Sequence, residues 1–213
     1  EVAAHYAIAT GTAGTLTKTG TGWLTLNGDN TYTGATLVDR GVLAISSDTA
    51  LGATTAGTTI NQVNNAQLRL TGGITVADDL TFQGTSGSLS GTLRNAGGDN
   101  TISGAVTLNG NIRMQSTAGS MTFTGGVTGS GDTFFIVNAS GGSIHFTTNP
   151  IDINNGTFWA DSGGLTTVGV AGNSWGGTTL ISGTLRLDVD NALPSNTTLT
   201  MGGASYGSGG TLD

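Results

Sequence analysis

Cysteine is absent from the 213 residues, which removes disulfides, thiolate metal sites and cysteine nucleophiles together. Such a chain can mature outside the reducing cytosol without risk of wrong pairing, and this fits secretion. Charge is scarce as well. Asp, Glu, Lys and Arg make only 9% of the sequence, far below what a coiled coil or a charged disordered linker needs. Lys18 is the sole lysine and the five arginines are scattered along the sequence. The clustered cations of a nucleic-acid binder are therefore missing, and no nucleic-acid partner is expected. Proline occurs twice and glycine follows no three-residue period, which excludes collagen. The longest apolar runs reach about five residues, as at Phe134-Phe135-Ile136-Val137, so no helix spans a membrane.

What is present is glycine, at 38 positions, and threonine, at 39. Short alternating segments run through the whole sequence, among them Trp23–Leu26, Gln67–Leu70, Val106–Asn109, Ser120–Phe123, Ser143–Phe146 and Thr184–Leu187. Each puts an apolar side chain at every second position, the pattern of a strand with one buried face. Gly, Asn, Asp and Ser clusters punctuate them. Strands this short and this numerous, with Thr, Ser and Asn at the polar positions, predict an all-β, right-handed parallel β-helix (a β-solenoid) rather than a sandwich or barrel. Internal recurrence agrees: Thr25-Leu26-Asn27-Gly28 returns as Thr107-Leu108-Asn109-Gly110, and Thr71-Gly72-Gly73-Ile74 as Thr124-Gly125-Gly126-Val127. With rungs of roughly 24 residues the chain makes about nine, a body roughly 40 Å long. No domain boundary is visible, so residues 1–213 read as one β-helix segment. The stretch from about Gly129 to Ser143 is the most irregular.

Two segments are closer to each other than to the rest. From Leu16 the chain runs through Lys18-Thr19-Gly20-Thr21-Gly22-Trp23-Leu24-Thr25-Leu26, then Asn30-Thr31-Tyr32-Thr33-Gly34, to Gly41-Val42-Leu43 and Ile45. A second copy starts at Asn173 and contains Trp175 in the place of Tyr32, then Gly183-Thr184-Leu185. Asp48-Thr49-Ala50-Leu51-Gly52 and Asp190-Asn191-Ala192-Leu193-Pro194 follow the two copies. Residues 16–52 and 173–194 thus resemble the autotransporter-associated β-strand repeat of bacterial autotransporter passenger regions. The second copy lacks the Lys-x-Gly-x-Gly lead-in. The resemblance implies a passenger segment of a longer protein, exported to the cell surface or released, with an outer-membrane β-barrel elsewhere in the full polypeptide. Tyr32 and Trp175 are expected to cover a corner of the core. Gly34 and Gly41 are expected in turn conformations closed to residues with a Cβ.

Sites for chemistry are few, and no cofactor or metal is implied. Asp78-Asp79 and the Asp188/Asp190 pair are weighed as glycosidase-like carboxylates. The last two would share a strand face roughly 7 Å apart, but all four read as solvent-facing turn acids. Gly129-Ser130-Gly131-Asp132 is half of a calcium-binding nonapeptide and reads as a turn. His5 and His145 are too isolated to make a metal site. Trp23 faces outward if Leu24 and Leu26 face in, and Trp159 beside Phe158 repeats the pattern. These two indoles are the candidate contact residues, with a neighbouring rung as the ordinary cover. Phe134 and Phe135 force one ring outward by the same alternation.

The expectation is a non-enzymatic extracellular scaffold or adhesin stalk that contacts host or neighbouring-cell glycan or protein. The alternatives are a structural subunit stacking end to end with itself, since neither terminus shows a cap, and a glycan-active or glycan-binding β-helix.

Overall fold

The computed structural model describes residues 2–4, 13–84, 92–129, 134–138, 141–161, 163–180, 183–202 and 210–213. Every strand pairing in it is parallel, and the strands stack into three sheets of ten, seven and seven. The first sheet runs from Val2–Ala4 and Trp23–Leu26 through Val42–Ile45, Gln67–Leu70, Leu93–Asn95, Ile112–Ser116, Phe134–Asn138 and Thr157–Asp161 to Gly177–Leu180 and Leu199–Met201. The second runs from Leu16–Lys18 to Ile151–Asp152, the third from Thr75–Val76 to Thr211–Leu212. The only helical element among the described residues is a single 3-10 turn at Gln62–Asn64. This is the parallel β-solenoid that alternation and turn spacing predict.

Register fixes the rung. Trp23 aligns with Val42 and Val42 with Gln67, steps of 19 (42 − 23) and 25 (67 − 42) residues. The ten strands of the first sheet make nine such steps, a stack of about 43 Å at ~4.8 Å each.

The alternating residues build the core as columns. Leu24, Leu43, Leu68, Leu93 and Met114 lie in register along the first sheet, and the last four are fully buried. Val76, Ile102, Phe123, Phe146 and Val168 form the matching column of the third sheet. An aromatic string crosses from there. Phe123 stacks on Phe146 with ring centroids 5.0 Å apart, Phe146 meets Phe158 edge-on at 6.0 Å, and Phe158 stacks on Trp175 at 5.0 Å. Tyr32 and Trp175 are both buried, as corner residues should be.

Not every interior position is apolar. Asn95, Asn100 and Ser116 have no exposed surface. They sit where the first sheet turns into the third, and their side chains supply the hydrogen bonds that a corner's backbone lacks. Asn95 Nδ2 donates to the carbonyls of Ala118 and Ser120 at 2.9 Å, and Asn95 Oδ1 accepts from Asn100 Nδ2 at 2.7 Å. Asn100 Oδ1 accepts the Ile74 amide at 2.8 Å.

The two motif copies change the shape of the rung. Between Gln67 and Val168 the chain visits all three sheets in each turn, first, third, second. In the first copy, Thr36–Val38 joins the second sheet and Val42–Ile45 the first. In the second copy, Gly177–Leu180 joins the first sheet and Thr184–Leu187 the third. Each motif therefore makes a two-stranded rung and is rotated one face round the solenoid from the other. The missing side is filled by the Ala-Leu turn of the motif: Ala50, Leu51 and Ala192 are buried, and Leu193 packs partly against the core. The shorter tetrapeptide recurrences have a different meaning. Thr25-Leu26 lies in the first sheet and Thr107-Leu108 in the second, so they repeat turn chemistry and not a face.

Candidate functional site

The outer face of the first sheet collects most of the unusual side chains. Because Leu24 and Leu26 pack inward, Trp23 points out and is 40% exposed. The Arg69 guanidinium lies over its ring, 5.0 Å from the centroid, a cation–π contact. Trp23 also borders a concavity with Thr17, Lys18, Thr19, Gly22 and Leu24. A second cleft lies beside the same turn, lined by Thr21, Arg40, Gly41, Asn64 and Asn65.

The turn between them is built from the motif. Lys18 is buried, and its ammonium donates to the carbonyls of Thr19, Gly20 and Arg40 at 3.0, 2.8 and 2.9 Å. Burial pulls its pKa down. The sole lysine is thus a backbone clamp rather than a surface charge. Gly41 has φ +73°, and a Cβ there would lie 2.5 Å from the Gly22 carbonyl oxygen. Gly34 needs its missing Cβ for space alone: an added carbon would meet the Gly14 oxygen at 2.6 Å, and its φ is not in the left-handed region. That corrects the expectation of a special conformation at Gly34.

Trp159 projects outward between buried Phe158 and Ala160 but is half-buried. Register places it in the same column as Trp23, through Val42, Gln67, Thr92, Arg113 and Ile136. Six steps separate the two indoles, about 29 Å. They share a face and do not form one site.

The adjacent column runs Thr25, Ala44, Arg69, Arg94, Gln115, Asn138, Asp161. Arg69 and Arg94 are direct neighbours on consecutive rungs, and both are half-buried. Burial, and then the charge of Arg94, push the Arg69 guanidinium below its ordinary pKa. Arg94 Nε is buried without a hydrogen-bond partner, as is Gln115 Oε1. Arg113, in the Trp23 column, pairs with Asp161 at 2.9 Å. Three of five arginines that look scattered in sequence therefore meet on one face. The signal was the spacing of Arg69 and Arg94, 25 residues (94 − 69), which is one rung.

One of the four weighed carboxylates departs from the expectation of solvent-facing acids. Asp78 is buried, not solvent-facing, because it continues the inward alternation of Leu80 and Phe82 into the preceding turn. The Thr58 hydroxyl donates to its carboxylate, while its other oxygen, Oδ1, has no partner. Burial raises its pKa, the Thr58 bond opposes this, and the charge of Asp79 adds to it. Asp79 is exposed and accepts the Ala105 amide at 2.8 Å. Asp188 and Asp190 are exposed, but the strand ends at Leu187, so they lie in a turn and do not share a strand face. Asp188 is held by Arg186 at 2.8 Å.

His145 faces outward between buried Ile144 and Phe146, and its Nε2 is 2.8 Å from Ser143 Oγ. Burial lowers its pKa, Arg186 adds to this, and Asp188 and Asp99 oppose it. Among the described residues no three His, Cys, Asp or Glu side chains gather as metal ligands. His5, Ser130 to Asp132 and the side chains of Phe134 and Phe135 lie outside the described residues.

Residues 16–45 match the family model described as the passenger-associated-transport-repeat. No curated protein and no solved structure matches the chain.

Proposed function

The chain fits an autotransporter passenger region with β-strand repeats, and we propose that it serves as a non-enzymatic rigid rod at the outside of a bacterial cell. The observation that carries this reading is the unbroken parallel stack of ten first-sheet strands with a transport repeat built into it. Each rung contacts only its neighbours, so the rod can fold rung by rung as it leaves the cell. The absence of cysteine suits such a route, since no wrong disulfide can trap the chain outside the cytosol. Its mechanism is geometric: the stack sets a distance from the membrane, and outward side chains on its faces make contacts with glycans or proteins of other cells.

The missing cysteines also provide the test. Thr55 is exposed in the turn after the first motif, and Thr55→Cys gives the chain one thiol. In cells making the full protein, a membrane-impermeant maleimide should label that thiol without lysis. Labelling only after lysis would end the reading.

A further inference from the structure

We propose that the outer face of the first sheet binds an acidic polysaccharide, whose anionic groups are held by Arg69 and Arg94 and one of whose sugar rings stacks at Trp23. The inference starts from a charge imbalance. The chain carries 13 acids against 6 bases, yet two guanidiniums stand one rung apart, about 4.8 Å, and neither forms an ion pair among the described residues. Arg113 and Arg186 each have a carboxylate. Arg69 and Arg94 have each other, and like charges opposed across a ladder are destabilising. Arg94 Nε is buried and unbonded. A half-buried pair of this kind is completed by an anion with several oxygens, for which the planar guanidinium fork is the best donor.

The neighbouring surface says what carries the anion. Arg69 reaches over the Trp23 ring, so the site joins a charged clasp to an exposed indole and a threonine-lined concavity. The part of the Trp23 indole that Arg69 leaves exposed, with small hydroxyls beside it, suits a sugar, which has an apolar ring face and hydroxyl rim. Nucleic acid fits less well. Its phosphate backbone is held by several clustered cations, whereas this face offers two neighbouring guanidiniums beside an indole.

The experiment is calorimetric titration of the 213-residue chain with heparin, polygalacturonate and neutral dextran, repeated at rising salt. Binding to heparin or polygalacturonate, weakening with salt, and none to dextran is expected; heparin alone indicates sulfate groups, and polygalacturonate binding indicates carboxylates. Arg94→Gln should weaken binding at least about tenfold. Arg186→Gln, with the same change in net charge, should leave it within about twofold.

Gln115→Glu keeps the shape of the side chain and supplies the missing carboxylate beside Arg94. It should raise the melting temperature and weaken binding, which decides the matter even where Arg94→Gln fails to fold. No binding to either polyanion, equal binding to dextran, equal losses in Arg94→Gln and Arg186→Gln, or tighter binding of polyglutamate or single-stranded DNA would overturn the proposal.

Discussion

Asn30 and Asn173, 143 residues apart (173 − 30), make the same bond: the first donates its amide to the Ala50 carbonyl at 2.6 Å, the second to the Ala192 carbonyl at 2.8 Å. Both side chains are buried. In each copy the bond ties the start of the motif to the Ala-Leu turn on the next rung, and that turn replaces a strand. The asparagine of the repeat is therefore the residue that lets a rung close with two sides.

Asn30→Ala should cost about 1–3 kcal/mol, the loss of a buried hydrogen bond with its acceptor left unpaired, and Asn173→Ala at least as much, since Asn173 also donates to the Val170 carbonyl and accepts the Ile151 amide. Denaturant unfolding measures the cost, and hydrogen exchange should rise first at the turn that holds Ala50 or Ala192. A loss below about 0.5 kcal/mol in both would remove the asparagine from this role.

Lys18 should be irreplaceable by another cation. Lys18→Met leaves the carbonyls of Thr19, Gly20 and Arg40 without their donor and should cost about 1–3 kcal/mol. Lys18→Arg should not restore stability, since a planar fork does not fit a site that gathers three carbonyls on one point. Recovery of the wild-type melting temperature by Lys18→Arg would contradict the clamp.

Much of the fold was legible because the alternation is local: Trp23–Leu26, Gln67–Leu70, Ser120–Phe123, Ser143–Phe146 and Thr184–Leu187 are strands with the bounds that the pattern gives. The polar interior was not. Asn95, Asn100, Thr58 and Asp78 find their partners in turns and rungs that periodicity does not connect to them, and a buried asparagine reads like a turn asparagine in sequence. The site was half legible. Trp23 followed from the inward leucines, but its partner Arg69 lies 46 residues on (69 − 23) and is joined to it only by register.

Asp78 gives the rod a pH dependence of unusual sign. Its carboxyl pKa is raised in the folded state above the ordinary aspartate value of 3.8, so the folded chain binds the extra proton and stability falls as pH rises through that window. His145, with its pKa lowered below 6.5, works the other way and loses stability as pH falls. The Asp78→Asn variant isolates the first effect. Its melting temperature should exceed that of wild type at pH 7, and the gap should close as pH drops toward 3.8. Parallel pH profiles for the two chains would show that Asp78 contributes nothing.

Phe146 is the centre of the aromatic string, in contact with both Phe123 and Phe158. Phe146→Ala should cost about 3–5 kcal/mol, and a repeat stack should then unfold in two steps around the damaged rung. A single cooperative transition with little change in midpoint would mean that the string is not what couples the rungs.

The central claim is an exported passenger rod, and protease shaving of intact source cells tests it most directly. Peptides released into the medium are identified by mass spectrometry, and the parent polypeptide is sized by an unboiled blot. Surface peptides from a polypeptide far larger than 21.1 kDa are the predicted result. Recovery of the segment only from the cytoplasm after lysis would contradict it.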